Sequence, residues 1–301
     1  MKTNELLEVD KIISLIAVSD NHYLIMLAAL IKSVEENHFT SEVINFHVVA
    51  DKITNENKLK LMSSINPSII RIIWHEMDQL LKGALRIPKD KSSYPLNIYM
   101  RLFFDLFIPK GVKRVLYLDC DMIVLNDISI LYNIDLEGFP LGAVQDPKIK
   151  NFENEWGGIL NYKELGLKGN SLYFNSGMLL IDCQRWAELG VTQKVVQCVE
   201  DNTNFINYPD QYGLNVVLSD NWLNIDKRWN SLSATESSTN PFVIHFTERK
   251  PIYKSYSNNM EYKEKFYNYL RKTAWHKFEP MTEFSRIRKK FSNVLTKYKP
   301  T

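Results

Sequence analysis

Two aspartates two positions apart, Asp119 and Asp121, follow the apolar segment 115–118 and have a spacing suited to metal chemistry. If this segment is an extended strand, both carboxylates point to one side and Cys120 points to the other. Two carboxylates on one side repel each other unless a cation or a proton lies between them. The pair therefore indicates a divalent metal site, although such pairs also occur as solvated turn residues or helix caps.

A histidine and a lysine later in the chain fit the same chemistry. His245 follows the apolar residues 242–244, and Lys250 comes five positions later. An imidazole together with two carboxylates suits Mn²⁺ better than Mg²⁺, which prefers oxygen ligands only. The Lys250 ammonium adds a positive charge that could meet a diphosphate. Taken separately, His245 could be a core histidine and Lys250 a solvated loop residue.

The elements that must position these residues alternate between strands and helices. Helices are predicted at 23–36, 54–64, 96–107, 184–199 and 209–219. Strands are predicted at 12–18, 43–50, 69–74, 114–118, 141–145, 178–182 and 242–246. The pattern predicts an α/β fold with a mostly parallel central sheet covered by helices, with ligands at the carboxyl ends of the strands. The 11 glycines form neither GxGxxG nor a P-loop, so phosphates must be neutralised in another way.

The charge of the chain is unevenly distributed. The net charge is +2, but residues 262–301 carry 11 basic and 3 acidic side chains, which leaves 26 basic and 32 acidic ones before them. We expect a catalytic domain over 1–261 and a basic, aromatic, helical tail over 262–301. An acidic body argues against nucleic acid as a partner.

The tail has the pattern of a helix at a membrane surface. Apolar residues recur with helical spacing in 284–298, and basic residues occupy the other faces. Contact with an anionic membrane is therefore expected for 284–298, and the tail is expected to take no part in donor hydrolysis. Packing of this helix on its own domain is the alternative. Residues 1–10 lack a secretory signal, and the three cysteines favour a reducing compartment, so a cytoplasmic location is expected, peripheral to the inner membrane.

Taken together, these motifs resemble glycosyltransferase family 8, a retaining family that includes bacterial lipooligosaccharide galactosyl- and glucosyltransferases. The resemblance extends over about residues 12–251. It rests on the order of motifs at 19–23, Tyr99-Met100-Arg101-Leu102, Asp119-Cys120-Asp121, Tyr173-Phe174-Asn175-Ser176-Gly177, Asp210-Gln211, and His245-Phe246 with Lys250-Pro251.

The resemblance implies the nucleotide-sugar type A glycosyltransferase fold and a UDP-hexose donor, with galactose or glucose as the sugar. A saccharide or glycolipid in bacterial surface glycan synthesis would be the acceptor. The roles it implies are Mn²⁺ ligation (Mg²⁺ being possible) by Asp119, Asp121 and His245; diphosphate contact by Lys250; uracil contact by Asp20 and Tyr23; and sugar contact by Arg101, Asp146, Asn175, Asp210 and Gln211. An N-cap role for Asp20 and an internal salt bridge for Arg101 are the structural alternatives.

The sequence departs from the family pattern at two places where contacts with the nucleotide are expected. His22 stands where the family commonly has Asn, and the segment between His245 and Lys250 is one residue shorter than usual and lacks glycine. Arg249 could therefore replace Lys250 at the diphosphate. For the retaining reaction we favour attack on the same face from which the diphosphate leaves, rather than a covalent adduct on Asp210.

Two other functions compete with this one. A strand followed by DxD also occurs in haloacid-dehalogenase phosphatases, but these carry a downstream acidic motif such as GDxxxD, which this sequence lacks. A sugar-binding relative without turnover is the non-enzymatic alternative. The presence of Asp119, Asp121, His245, Asp210 and Gln211 argues against it.

Overall fold

The computed structural model describes residues 12–82, 87–88, 90–235 and 239–297. Ten strands lie within these ranges. They are β1 (Ile12–Asp20), β2 (Val43–Asp51), β3 (Ile70–Glu76), β4 (Arg114–Leu118), β5 (Met122–Val124), β6 (Leu141–Gln145), β7 (Phe174–Asp182), β8 (Leu223–Asn224), β9 (Ser231–Leu232) and β10 (Val243–His245). All seven predicted strands are present, and β5, β8 and β9 complete two sheets.

The main sheet has seven strands in the order β3-β2-β1-β4-β7-β6-β8. Strand β1 pairs in parallel with β2 and β4, and β2–β3 and β6–β8 are also parallel. Only β7 runs against its neighbours, so its amino end lies beside the carboxyl ends of β4 and β6. The predicted mostly parallel sheet is confirmed. A second sheet, β5-β10-β9, contains the strand that ends at His245.

Nine α-helices surround the sheets in the described part of the chain. They are α1 (Leu24–Glu36), α2 (Asn55–Met62), α3 (Met77–Leu80), α4 (Ile128–Tyr132), α5 (Cys183–Glu188), α6 (Val191–Asp201), α7 (Pro209–Val217), α8 (Met260–Leu270) and α9 (Glu283–Lys297). Two helix predictions were wrong in detail. Residues 96–107 form two 3₁₀ turns that meet at Phe103, and 184–199 divides at Gly190, whose φ of +61° breaks the helix.

The apolar core lies on both faces of the main sheet. Alternate residues of β1 point to opposite sides, so Leu15 and Ala17 pack with α1 while Ile16 and Val18 pack with the 3₁₀ segment and α6. Burial on both faces explains why β1 is an almost continuous apolar run. The polar ends of these strands are the groups left for a site.

The C-terminal segment begins within the core. Helix α8 buries Tyr262, Phe266 and Leu270 against the cluster that contains α1. The division of the chain at residue 261, which stays a prediction, falls within this helix. Helix α9 follows and leaves Phe284, Ile287 and Phe291 exposed. Among the described residues, no helix combines the length and apolar character needed to cross a membrane.

Candidate active site

The three predicted metal ligands converge where the two sheets meet. Strand β4 ends at Leu118, and the Asp119 amide donates to the Gly177 carbonyl of β7 at 2.8 Å. The chain then turns through Asp121 into β5, which is antiparallel to β10 and pairs Met122 with His245. One ligand atom from each of Asp119, Asp121 and His245 can be chosen so that all lie within 4.8 Å of one another. We call this cluster the metal edge.

The donor atoms of the metal edge fit a divalent cation. His245 Nε2 lies 3.7 Å from Asp119 Oδ2 and 3.3 Å from Asp121 Oδ1. Asp121 Oδ1 is buried and has no hydrogen-bond partner among the described residues. Gly177 keeps the space open, because a Cβ there would lie 2.4 Å from His245 Cε1 and 2.9 Å from Asp119 Oδ2. Two carboxylates and one imidazole around an open space are a donor set suited to Mn²⁺.

A chain of buried amides fixes the histidine ring. Asp146 Oδ2 can only accept, so it takes Asn175 Nδ2 at 2.9 Å and thereby orients that amide. Asn175 Oδ1 then accepts from Asn230 Nδ2 at 2.9 Å, which leaves Asn230 Oδ1 to accept from His245 Nδ1 at 3.0 Å. Because Nδ1 carries the proton in this network, Nε2 presents a lone pair towards Asp119 and Asp121. An imidazole held in this way is suited to bind a metal.

Arg101 links the metal edge to the opposite side of the site. It is buried, its Nη2 donates to Asp119 Oδ1 at 2.8 Å, and its Nε lies 3.2 Å from Asp210 Oδ2. Ser176 contributes to the same network: its Oγ donates to Asp210 Oδ2 and its amide to Gln211 Oε1, both at 2.9 Å. Arg101 therefore holds two carboxylates in place through charge-assisted bonds. Its predicted contact with the donor sugar stays a prediction.

The two aspartates of the metal edge are in different electrostatic states. Burial raises the pKa of the Asp119 carboxyl above its ordinary value, against the opposing effect of Arg101. Burial also acts to raise the pKa of Asp121, but the neighbouring Lys250 ammonium opposes it, and that pKa lies well below its usual range. Lys250 Nζ contacts Asp121 Oδ2 directly. Asp121 is therefore ionised at neutral pH.

All eleven predicted site residues line one pocket of about 880 Å³. They are Asp20, Tyr23, Arg101, Asp119, Asp121, Asp146, Asn175, Asp210, Gln211, His245 and Lys250. The N-cap role predicted as the alternative for Asp20 was wrong, because Tyr23 occupies the N-cap of α1 and no side chain caps it. The Oδ1 atom of Asp20 instead accepts from the amides of His22 and Tyr23 at 2.9 Å each, in the turn before the helix. His22 hydrogen-bonds Tyr253 at 2.7 Å, and Arg249 bonds Glu283 rather than an aspartate of the metal edge.

The same pocket contains residues that sequence reasoning missed. Helix α9 contributes Arg286, Lys289 and Lys290, and Lys289 Nζ forms an ion pair with Asp20 Oδ2. Trp156 lines the pocket as well, with 60% of its surface exposed. A large exposed tryptophan and a basic helix are visible in the sequence, but their distance from the motifs along the chain hid their place in the pocket. Nothing in the sequence except its position before β9 marked Asn230 as a site residue.

Comparison with known proteins assigns the chain to a class. The model of the glycosyl transferase family 8 matches residues 14–270. The crystal structure of the galactosyltransferase LgtC with donor and acceptor sugar analogues superimposes with a TM-score of 0.70 at 23% identity, covering 92% of this chain and 100% of that one. That similarity shows the type A glycosyltransferase fold.

Two curated relatives illustrate the range within the family. General stress protein A of Bacillus subtilis is 25% identical over 287 residues, which is 88% of this chain and 96% of the relative. The lipopolysaccharide 1,2-glucosyltransferase of Escherichia coli K12 is 26% identical over 201 residues, 64% of this chain and 55% of that protein. The match also covers only 58% of glycosyltransferase GlyF of Streptococcus pneumoniae.

The chain belongs to glycosyltransferase family 8 and is a glycosyltransferase. The family match confirms the resemblance seen in the motifs, and it removes the haloacid-dehalogenase alternative. The match ends at Leu270, the last residue of α8, so α9 lies outside the residues that the family model matches.

Proposed function

We propose that the protein is a metal-dependent retaining hexosyltransferase that moves galactose or glucose from a UDP-sugar to a saccharide of a bacterial surface glycan. The convergence of Asp119, Asp121 and His245 on the space kept open by Gly177 is the observation that carries this proposal. A divalent cation held there, Mn²⁺ by preference, would stabilise the charge that develops on the departing diphosphate. Membership of the family and the named glucosyltransferase relative support the substrate class.

The test is hydrolysis of a panel of UDP-sugars with and without Mn²⁺. We expect Mn²⁺-dependent release of UDP from UDP-galactose or UDP-glucose, abolished in Asp119→Asn. Asp201→Asn, an exposed aspartate at the end of α6, is the matched control and should leave the rate unchanged. Mn²⁺ binding followed by electron paramagnetic resonance should be lost in the first variant only. A rate independent of metal and unchanged in Asp119→Asn would refute the proposal.

The roles within the pocket follow from its layout. Asp20 and Tyr23 lie together at the end of β1, where a carboxylate and an aromatic ring can bind a uracil base by hydrogen bonding and stacking. Asn175, Asp146 and Gln211 line the same pocket with amide and carboxylate groups fixed by hydrogen bonds, as recognition of sugar hydroxyls requires. Lys250 forms an ion pair with Asp121, and among the cations outside α9 it is the one placed to meet the diphosphate.

The hydrogen bonds of Asp210 favour attack from the face that the diphosphate leaves. Asp210 Oδ2 is engaged by Ser176 Oγ at 2.9 Å and by Arg101 Nε at 3.2 Å, which lowers its availability as a nucleophile. In this reaction the acceptor hydroxyl gives its proton to the leaving diphosphate oxygen. Mass spectrometry after reaction with a slow donor should find no glycosyl adduct, and an adduct on Asp210 would overturn the choice.

Aromatic side chains at the pocket mouth support a saccharide acceptor. The Trp156 and Tyr208 rings are 6.2 Å apart, Tyr94 is 6.1 Å from Tyr208, and all three line the pocket. Exposed aromatic faces provide the apolar surface on which sugar rings stack. We expect Trp156→Ala to reduce transfer several-fold and to leave UDP-sugar hydrolysis unchanged. Phe39→Ala, which removes an exposed aromatic ring away from the pocket, is the control for aromatic loss, and equal effects of Trp156→Ala on transfer and hydrolysis would contradict this role.

The outer face of α9 supports peripheral attachment to a membrane. Phe284, Ile287 and Phe291 form one exposed stripe at helical spacing, with the exposed Arg288 beside them. An apolar stripe flanked by positive charge suits an anionic bilayer surface. We expect the double variant Phe284→Ser and Phe291→Ser, and truncation after residue 280, to lose binding to anionic liposomes. Unchanged binding would refute the attachment.

A further inference from the structure

Helix α9 turns its two long faces to different surroundings. Arg286, Lys289 and Lys290 line the pocket, whereas Phe284, Ile287, Arg288 and Phe291 are exposed. The first turn is held by Glu283, which accepts from Arg249 Nη1 at 2.6 Å and from the Ser255 hydroxyl. We call the side formed by Arg286, Lys289 and Lys290 the α9 wall. Its cations are placed by the tertiary fold and lie outside the residues that the family model matches.

Outside α9 the pocket is lined by the cations Arg101, Lys148, Arg249 and Lys250, of which only Lys250 is assigned to the diphosphate by the proposed function. Each of them forms an ion pair with a carboxylate, as Arg286 and Lys289 do on α9. Arg101 is engaged by Asp119 and Asp210, and Lys250 is engaged by Asp121. Lys148 contacts Glu248, also at the pocket. A nucleoside diphosphate carries several negative charges and would enter a pocket whose body side is rich in carboxylates. Asp119 and Asp121 already offset much of the charge of a divalent cation at the metal edge, so further positive groups near the diphosphate would stabilise the bound donor.

The ion pair between Lys289 and Asp20 lies at the predicted base subsite. Asp20 Oδ1 is committed to the amides of His22 and Tyr23, so Oδ2 is the atom that can accept from a base N–H. Lysine has a flexible four-carbon stem, and its ammonium can change partner without movement of the helix. Arg286, one turn before Lys289, contacts Glu283 on its own helix and can likewise turn to a phosphate.

We propose that Arg286 and Lys289 bind the diphosphate of the nucleotide donor, so that α9 is part of the donor-binding surface. Lys289 exchanges Asp20 for phosphate oxygens when the donor enters, and this exchange frees Asp20 Oδ2 for the base. The inference rests on the proposed function, because it takes the donor to be a nucleoside diphosphate sugar. It reverses the expectation from sequence that the tail has no part in donor chemistry.

The test is calorimetric titration of the full chain with UDP and, separately, with uridine, both with Mn²⁺ present. We expect Lys289→Gln and Arg286→Gln each to weaken UDP binding about tenfold, as for a lost charge-assisted hydrogen bond. Uridine has no diphosphate, so its affinity should be unchanged or higher in Lys289→Gln, where Asp20 is free. Lys289→Arg should retain most of the UDP affinity.

Arg288→Gln is the matched control, because it removes the same charge from the same helix on the exposed face. It should leave UDP affinity unchanged. Lys289→Gln with unchanged or tighter UDP binding would overturn the inference, since tighter binding would mean that Lys289 only competes for Asp20. Equal losses for UDP and uridine would also overturn it. Failure of the wild-type chain to bind UDP would refute the proposed donor itself, whereas UDP binding insensitive to both variants refutes this inference alone.

Discussion

The metal edge and the α9 wall face the same pocket and are built in opposite ways. At the metal edge, strand ends and buried amides position Asp119, Asp121 and His245, and His245 is only 5% exposed. The α9 wall stands on one helix that is joined to the rest of the domain by ion pairs, among them the partly exposed pair of Glu283 with Arg249 and the pair of Lys289 with the buried Asp20. The metal edge is fixed by packing, and the α9 wall is fixed by charge.

This difference predicts different responses to perturbation. Groups in a packed interior have no free space around them, so a single added methyl group displaces its neighbours. Exposed ion pairs are individually weak and are screened by salt. A packed metal edge can hold a cation in one geometry, while a charge-held wall can exchange partners as a substrate enters.

The largest effect on the metal edge is expected from Gly177→Ala. The new Cβ would lie 2.4 Å from His245 Cε1 and 2.9 Å from Asp119 Oδ2, so both ligands must shift. We expect a loss of Mn²⁺ affinity of at least about 100-fold, beyond what loss of a supporting residue produces. Gly166→Ala, strained at φ +69° but with nothing within 4 Å of its Cβ, should lower the melting temperature without affecting Mn²⁺ binding. Normal Mn²⁺ binding in Gly177→Ala would contradict the assignment of the site.

Asn230→Ala tests whether the amide chain positions His245. Without the Asn230 carbonyl oxygen, His245 Nδ1 loses its acceptor and the ring loses its fixed tautomer. We expect Mn²⁺ affinity to fall about 10- to 100-fold, the range found for residues that orient metal ligands. Asn224→Ala, an exposed asparagine on β8, is the control. Mn²⁺ titration at a temperature where both variants are folded provides the measurement. Equal Mn²⁺ affinities of Asn230→Ala and Asn224→Ala would show that Asn230 does not position His245.

Ionic strength should separate the two regions without any mutation. Raising salt from about 0.05 to 0.5 M shortens the screening length several-fold and weakens exposed ion pairs more than buried ones. UDP affinity of the wild-type chain should therefore decrease several-fold, and the decrease should be smaller in the double variant Arg286→Gln and Lys289→Gln. Titrations at four salt concentrations measure both slopes. Identical slopes would mean that the α9 wall adds no charge to donor binding.

The smallest effect is expected from the anchor of α9. Hydrogen bonds from Ser255 and Arg286 lower the pKa of Glu283 to about 2. Because the folded pKa is depressed, the anchor is complete above the usual glutamate range and is lost only as the pH falls towards about 2. Glu283→Gln should weaken UDP binding about twofold, consistent with an exposed ion pair. Glu279→Gln, exposed on the preceding segment, should have no effect, and a tenfold loss in either variant would contradict this ranking.

Much of the fold and most of the site were predictable because they depend on local patterns. Apolar runs identified β1, β2, β4 and β7 because strands buried on both faces have little polar sequence. The polar residues that follow these runs gave Asp20 and Asp119 directly. Short strands such as β8 and β9 were missed, since two residues carry no periodicity. The 96–107 helix was predicted from its apolar spacing, which a pair of 3₁₀ turns also satisfies.

The sequence by itself determined the class of the protein and identified the three residues of the metal edge, because Asp119, Asp121 and His245 owe their place to strands whose pattern is local. Only the tertiary structure decided the neighbours of those residues. Asn230 supports His245, Gly177 keeps the metal space open, and Lys289 reaches Asp20 across 269 positions of the chain. Contacts between distant segments depend on how the sheets and helices pack against each other, and the spacing of residues along the chain does not predict this packing.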